Sequence, residues 1–137
     1  MGKRRKAREI VLQALYEAEF SDRTREEILK SQAEERSSSD DTVEYANALF
    51  ASVLDNVDRL DDDIRKAVEH WDFGRISLVD KNILRFAMAE ILYFNEIPTK
   101  VILNEAIDIA HKYSSSDAGK FVNGVLDKFA AEHRSDS

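Results

Sequence analysis

Lys3, Arg4, Arg5, Lys6 and Arg8 put five cations into the first eight residues of a 137-residue chain whose formal net charge is −7. Cations at that density neutralise phosphates and release condensed counterions, so on an acidic chain they confine polyanion contact to one end. A solubilising tail or a targeting signal is the competing reading of the same run. On a helix of 100° per residue, Arg5, Arg8 and Tyr16 share one face. Guanidinium groups for phosphate beside a ring for stacking are the parts of an RNA surface.

Other chemistry is poorly represented. The chain has no Gly-x-Gly-x-x-Gly, no Gly-rich phosphate loop and no Gly-x-Ser-x-Gly. His70, His111 and His133 are too scattered for a zinc-binding helix, there is no cysteine, and Asp61, Asp62 and Asp63 lack the alternation and glycine of a calcium loop. That acidic run reads as a solvated face near a helix start, where the dipole favours carboxylates. His111 near Ser114, Ser115 and Asp117 does not make a triad, because local spacing does not supply the geometry. No catalytic residue, cofactor or metal is expected. Asn123-Gly124 is less ordinary, since glycine within an apolar helical pattern costs about 1 kcal/mol. Either a neighbouring helix packs closely over Gly124, or Asn123 and Lys120 present donors to a ligand.

The elements that must position these residues are helices. One proline and four glycines leave few turns, and Ala7, Ile10, Val11, Ala14, Leu15 and Ala18 make the apolar stripe of a helix over about 3–19. A second helix is expected over 24–36, followed by a loop at 37–41 that ends in capping residues. The third carries Val43 to Val57 in its stripe, and the fourth begins near Asp58 and carries Leu60, Ile64, Ala67, Val68 and Trp71. Ser77 is the expected N-cap of an apolar, central helix over 78–94, with Asp80 three residues on. Pro98 suits the start of a helix over 99–113, and a last helix carries Phe121, Val122, Val125, Leu126 and Phe129. The fold class is therefore all-α: a compact bundle of about seven helices in one domain, 1–137, with an N-terminal group over about 3–57 packed on a C-terminal group over about 58–132. Lack of cysteine points to a reducing compartment, taken as the cytoplasm. The absence of an 18-residue apolar run argues against a membrane span, and the basic start leads into Glu9 instead of an apolar signal region.

Arg4 to Glu9, Gln13 to Tyr16, Asp80 to Arg85, Ile97 to Val101, Asn104 to Ala106 and Lys120 to Asp127 occur in this order along the chain. Together they resemble the family of the bacterial transcription antitermination factor NusB. The resemblance implies a two-subdomain helical bundle and a non-enzymatic factor that binds single-stranded boxA RNA with ribosomal protein S-ten (NusE). It further implies that this complex joins elongating RNA polymerase with other Nus factors and suppresses termination, notably in ribosomal RNA operons. On the family pattern the RNA-binding residues are Arg4, Arg5, Lys6, Arg8 and Tyr16 at one end, with Tyr113, Asp117, Lys120, Phe121 and Asn123 at the other. Lys6 stands where other members carry arginine, which keeps the charge and loses the bidentate fork. Asp80 matches an acidic partner-binding position facing the ribosomal protein.

If these cations neutralise about four or five phosphates, log K falls against log salt with a slope of about −3. Two other readings compete: an RNA-recognition domain of the kind fused to ribosomal RNA cytosine methyltransferases, and a protein-interaction module whose acidic surface meets a basic ribosomal protein. The chain holds no methyl-donor domain, which speaks against the first. Self-association through the partner face, giving a homodimer, is a further expectation.

Overall fold

The computed structural model describes residues 2–68 and 72–135. Seven α-helices and no strand occur among them: α1 (Lys3–Phe20), α2 (Arg25–Glu35), α3 (Asp40–Asp55), α4 (Val57–Ala67), α5 (Leu78–Tyr93), α6 (Thr99–Tyr113) and α7 (Ser116–His133), with a short 3-10 turn at Phe73–Arg75. Short polar side chains set many of these boundaries by satisfying backbone donors that a helix start leaves orphaned. Thr24 and Glu27 form a reciprocal capping box, each side chain accepting from the other's backbone N–H at 3.1 and 3.0 Å. Ser39, Ser77 and Ser115 cap α3, α5 and α7 in the same one-sided way. Ser37 takes a left-handed φ of 50° and turns the chain out of α2.

The break between α3 and α4 falls at Asn56, whose side-chain amide donates to the Ser52 carbonyl at 2.8 Å. Val57, expected at the end of the third helix, thus opens the fourth. His70 and Trp71, the latter expected on that helix, lie outside the described residues.

Helix α5 occupies the middle, packing against α1, α3, α4, α6 and α7. Its expected apolar character is real, since Ile83, Leu84, Phe86, Ala87, Met88, Ala89 and Ile91 are all buried. One continuous core runs from Ala7 on α1 to Ala130 on α7. Two polar side chains, Asn82 and Glu90, are buried on α5 as well. Asn82 accepts from Arg85, which also holds Asp61 of α4 at 2.8 Å. Glu90 faces α1, and its surroundings shape the functional site. No helix among the described residues is long and apolar enough to cross a membrane.

Candidate nucleic-acid interface

Helix α1 begins without help from its own ends. Gly2 supplies no side-chain cap and the first turn contains no acid, only cations placed on the positive end of the helix dipole. Such a start repels itself, and three contacts from other helices hold it. Lys3 pairs with Asp41 of α3 at 3.1 Å on the surface. The Arg4 guanidinium lies 4.7 Å from the centre of the Tyr45 ring on α3. Arg5 donates to Glu105 at 2.8 Å and to Asp108 at 2.7 Å, both on α6. Its guanidinium pKa is raised, first by the Glu105 hydrogen bond. Glu105 is held below the usual carboxylate range, first by that same bond from Arg5. Among the described residues, no carboxylate pairs with half-buried Lys6 or with exposed Arg4, so neither charge is cancelled there.

Arg8 departs from expectation. It is 1% exposed, with Nε 2.9 and 3.0 Å from the two carboxylate oxygens of Glu90 and Nη1 3.3 Å from Glu105. Burial works against the charge, yet the hydrogen bonds to Glu90 raise the guanidinium pKa overall. The Tyr45 hydroxyl also donates to Glu90. Arg8 therefore belongs to an internal ion pair, and the expected phosphate contact is corrected: as placed, its guanidinium has no path to RNA. The helical-face argument that grouped Arg8 with Arg5 and Tyr16 fails because the stripe buried on α1 is wider than its apolar residues, taking in Arg8 and Glu9 as well.

Glu9 ties this region to the other predicted cluster. Buried, it accepts from Lys112 Nζ at 3.0 and 3.2 Å and from the Tyr113 hydroxyl at 2.7 Å. The end of α6 is thereby fixed one turn along α1 from Arg5. The chain then passes through Ser114 and Ser115 into α7, where Asp117, Lys120 and Asn123 are exposed and Phe121 is half-buried. Lys120 and Asn123, three residues apart, share a face of the helix. The close-packing explanation for Gly124 is corrected: no neighbouring helix comes within 4 Å of where its Cβ would be. Close approach occurs instead at Gly119, where a Cβ would run into the His111 imidazole.

Asp80 and Asp117 line the same shallow cleft of about 330 Å³, with Arg75, Ser77, Ser115 and Phe121. The Ser77 cap accepts from the Asp80 N–H at 3.1 Å, while the buried Asp80 Oδ1 has no hydrogen-bond partner among the described residues. The predicted partner residue and two predicted RNA residues are thus neighbours around one cleft. Tyr16 is 48% exposed and Phe20 72%, their rings 5.2 Å apart on the far half of α1. Tyr45, Glu90, Glu105, Glu9 and Lys112 organise the site and were not singled out from sequence. Asn104-Glu105-Ala106 and Glu9 stood within quoted blocks, but nothing in their spacing says that their carboxylates meet α1 cations or α6 donors.

Comparison with known proteins gives one answer. The NusB family model matches residues 5–131. The chain is 42% identical over 142 residues to the transcription antitermination protein NusB of Thermodesulfovibrio yellowstonii, covering 95% of this chain and 93% of that protein. It superposes on the solved structure of T. maritima NusB with a TM-score of 0.87 at 39% identity, over 95% of this chain and 92% of the other. A crystal structure of the antitermination factors NusB and NusE in complex with double-stranded RNA matches with a TM-score of 0.85 at 27% identity, over 95% and 97% of the two chains. A uniform helical fold, the ordered sequence blocks and matches across nearly the whole length lead to one conclusion: the chain belongs to the NusB family.

Proposed function

We propose that this chain is an RNA-binding transcription antitermination factor that binds a boxA-type single-stranded element together with NusE, and so joins elongating RNA polymerase with other Nus factors. It acts in the cytoplasm by assembly and catalyses no reaction of its own. The observation that carries this reading is the uncapped positive start of α1. Arg4 and Lys6 stand there without carboxylate partners among the described residues, on a frame fixed by Glu105 and Tyr45. A helix N-terminus loaded with cations attracts phosphate through both its dipole and its side chains. Exposed Lys120 and Asn123 add a cation and an edge-reading amide. The antitermination role of the relatives, and the presence of RNA and NusE in a solved complex of a similar protein, support the same reading. The exposed Tyr16–Phe20 pair supplies apolar surface for NusE, or for a second copy of the chain.

The test is fluorescence anisotropy of labelled boxA-type RNA, beside a scrambled strand and a duplex of equal length, with and without NusE. Tighter binding to the boxA strand, strengthened by NusE, is the expected result. Arg8 is internal and Arg5 is neutralised by two carboxylates, which leaves Arg4, Lys6 and Lys120 as uncancelled cations. The salt slope is then about −2 at the single-strand coefficient of about 0.7 per phosphate, shallower than the sequence alone implies. Equal, weak binding to all three RNAs regardless of NusE would overturn the reading in favour of a protein-interaction module.

A further inference from the structure

We propose that Tyr45 on α3 is a positioning residue for RNA binding: it holds the Arg4 guanidinium in place for phosphate, using the buried Arg8–Glu90 pair as its anchor. This rests on the RNA-binding reading above.

Tyr45 is bound at both ends. Its hydroxyl donates to the Glu90 carboxylate, which the Arg8 Nε grips at 2.9 and 3.0 Å. The ring edge packs on Phe94, with centroids 5.5 Å apart. Burial first, and then the Glu90 charge, push the Tyr45 phenol up, which favours the neutral donor form. Over a ring fixed in this way the exposed Arg4 guanidinium lies 4.7 Å from the centroid; the buried Arg8 guanidinium sits further off, at 5.9 Å. The first turn of α1 has no cap and no acid of its own. An arginine there would otherwise sample many rotamers, and binding phosphate would require ordering it each time. Stacking on Tyr45 removes part of that cost while leaving the charge uncancelled, which a carboxylate partner would not do. Arg5 shows the contrast, since its restraint comes from Glu105 and Asp108 and neutralises it.

The test combines Arg4→Ala, Tyr45→Leu, Tyr45→Phe and the Arg4→Ala/Tyr45→Leu double variant in full-length protein, read by boxA-type RNA affinity across a salt series. Tyr45→Leu is expected to weaken RNA binding about two- to five-fold, the scale of an exposed cation–π contact. Tyr45→Phe, which keeps the ring but loses the hydroxyl bond to Glu90, is expected to fall between wild type and Tyr45→Leu. The double variant is expected to bind no worse than Arg4→Ala, because Tyr45 acts through Arg4. NusE binding should be unchanged in all four.

Affinity losses that multiply in the double variant, or a Tyr45→Leu protein that binds like wild type, would overturn the proposal. Should Tyr45→Leu fail to fold, the side-chain Nε–Hε signal of Arg4 in wild-type protein decides the matter. A resolved, ring-shifted signal before RNA is added supports the proposal, and an averaged signal at the free-arginine position overturns it. Failure of the RNA-binding reading itself looks different, because wild-type protein would then show no boxA preference to lose.

Discussion

Arg8 and Glu90, 82 residues apart in the chain, meet inside the protein with the guanidinium Nη2 2.8 Å from a carboxylate oxygen and both side chains at 2% exposure or less. An ion pair in that position is energetically one-sided. Compared with well-packed apolar side chains it contributes little, yet loss of one partner strands a charge. Glu90→Gln is therefore expected to cost about 3–5 kcal/mol, read as a lowered urea midpoint, with Arg8→Ala in the same range. The Arg8→Met/Glu90→Leu double variant should recover most of the loss. If Glu90→Gln unfolds at the wild-type midpoint, the pair is not buried as described.

Arg5 and Glu105 predict a pH effect with a definite sign. Hydrogen bonding from Arg5, followed by the attraction of Arg5 and Arg8, lowers the Glu105 pKa against its unfolded value. A group depressed in the folded state binds its proton more readily when unfolded, so its contribution is present above the ordinary carboxylate range and is lost as pH falls through the folded value. Glu105→Gln should flatten the acid side of the stability–pH curve and leave its shape above neutrality unchanged. Thermal melts from pH 7 down to pH 3 provide the check, and parallel wild-type and variant curves would contradict it.

Gly119 and Gly124 occupy the same helix and should respond oppositely to one methyl group. Around Gly124 there is open space, so Gly124→Ala gains helix propensity and is expected to stabilise by about 0.5–1 kcal/mol. Gly119→Ala gains the same propensity but must displace the His111 ring, and its melting temperature should not exceed that of wild type. A Gly119→Ala protein as stable as Gly124→Ala would show that the imidazole moves aside freely.

These cases also show how far the sequence could be read. Helix existence was legible because apolar residues recur with a helical period and because Thr24, Ser39, Ser77 and Ser115 advertise their caps locally. Surface position was legible as well for Arg4, Lys120 and Asn123, all of which are exposed. Arg8 was not, because a cation in a basic run looks the same whether its carboxylate is solvent-borne or buried on a helix 82 residues away. Periodicity weighs only apolar residues, whereas α1 buries Arg8 and Glu9 by pairing them. Tyr45 stayed hidden for the same reason: its two roles are contacts with α1 and α5, and neither leaves a trace in α3.

Arg134, just past the end of α7, is a further long-range device. It donates to the carbonyls of Ile91 and Ile97, and it adds a second donor to those of Glu90 and Phe94, which already accept from the Phe94 and Ile97 N–H groups. Charged hydrogen bonds gathered on four carbonyls at the end of α5 and the following turn make Arg134→Ala cost about 1–3 kcal/mol. Amide hydrogen exchange should quicken first around 90–97, and unchanged exchange there would contradict the capping role.

On the proposed RNA-binding reading, Lys120 and Asn123 are expected to separate affinity from specificity on one helical face. Lys120 offers a point charge and no edge geometry, so Lys120→Ala should weaken boxA-type and scrambled RNA alike and make the salt slope shallower by about 0.7. Asn123 carries no charge, but its amide presents a donor and an acceptor together, as a base edge requires. Asn123→Ala should leave the salt slope unchanged and narrow the difference between the two RNAs. The two readouts are independent, and the Arg4 and Lys6 variants provide an internal comparison as cations of the first kind. If Asn123→Ala lowers affinity for both RNAs equally, its amide contacts the backbone and base identity is read elsewhere on the surface between α1 and α7.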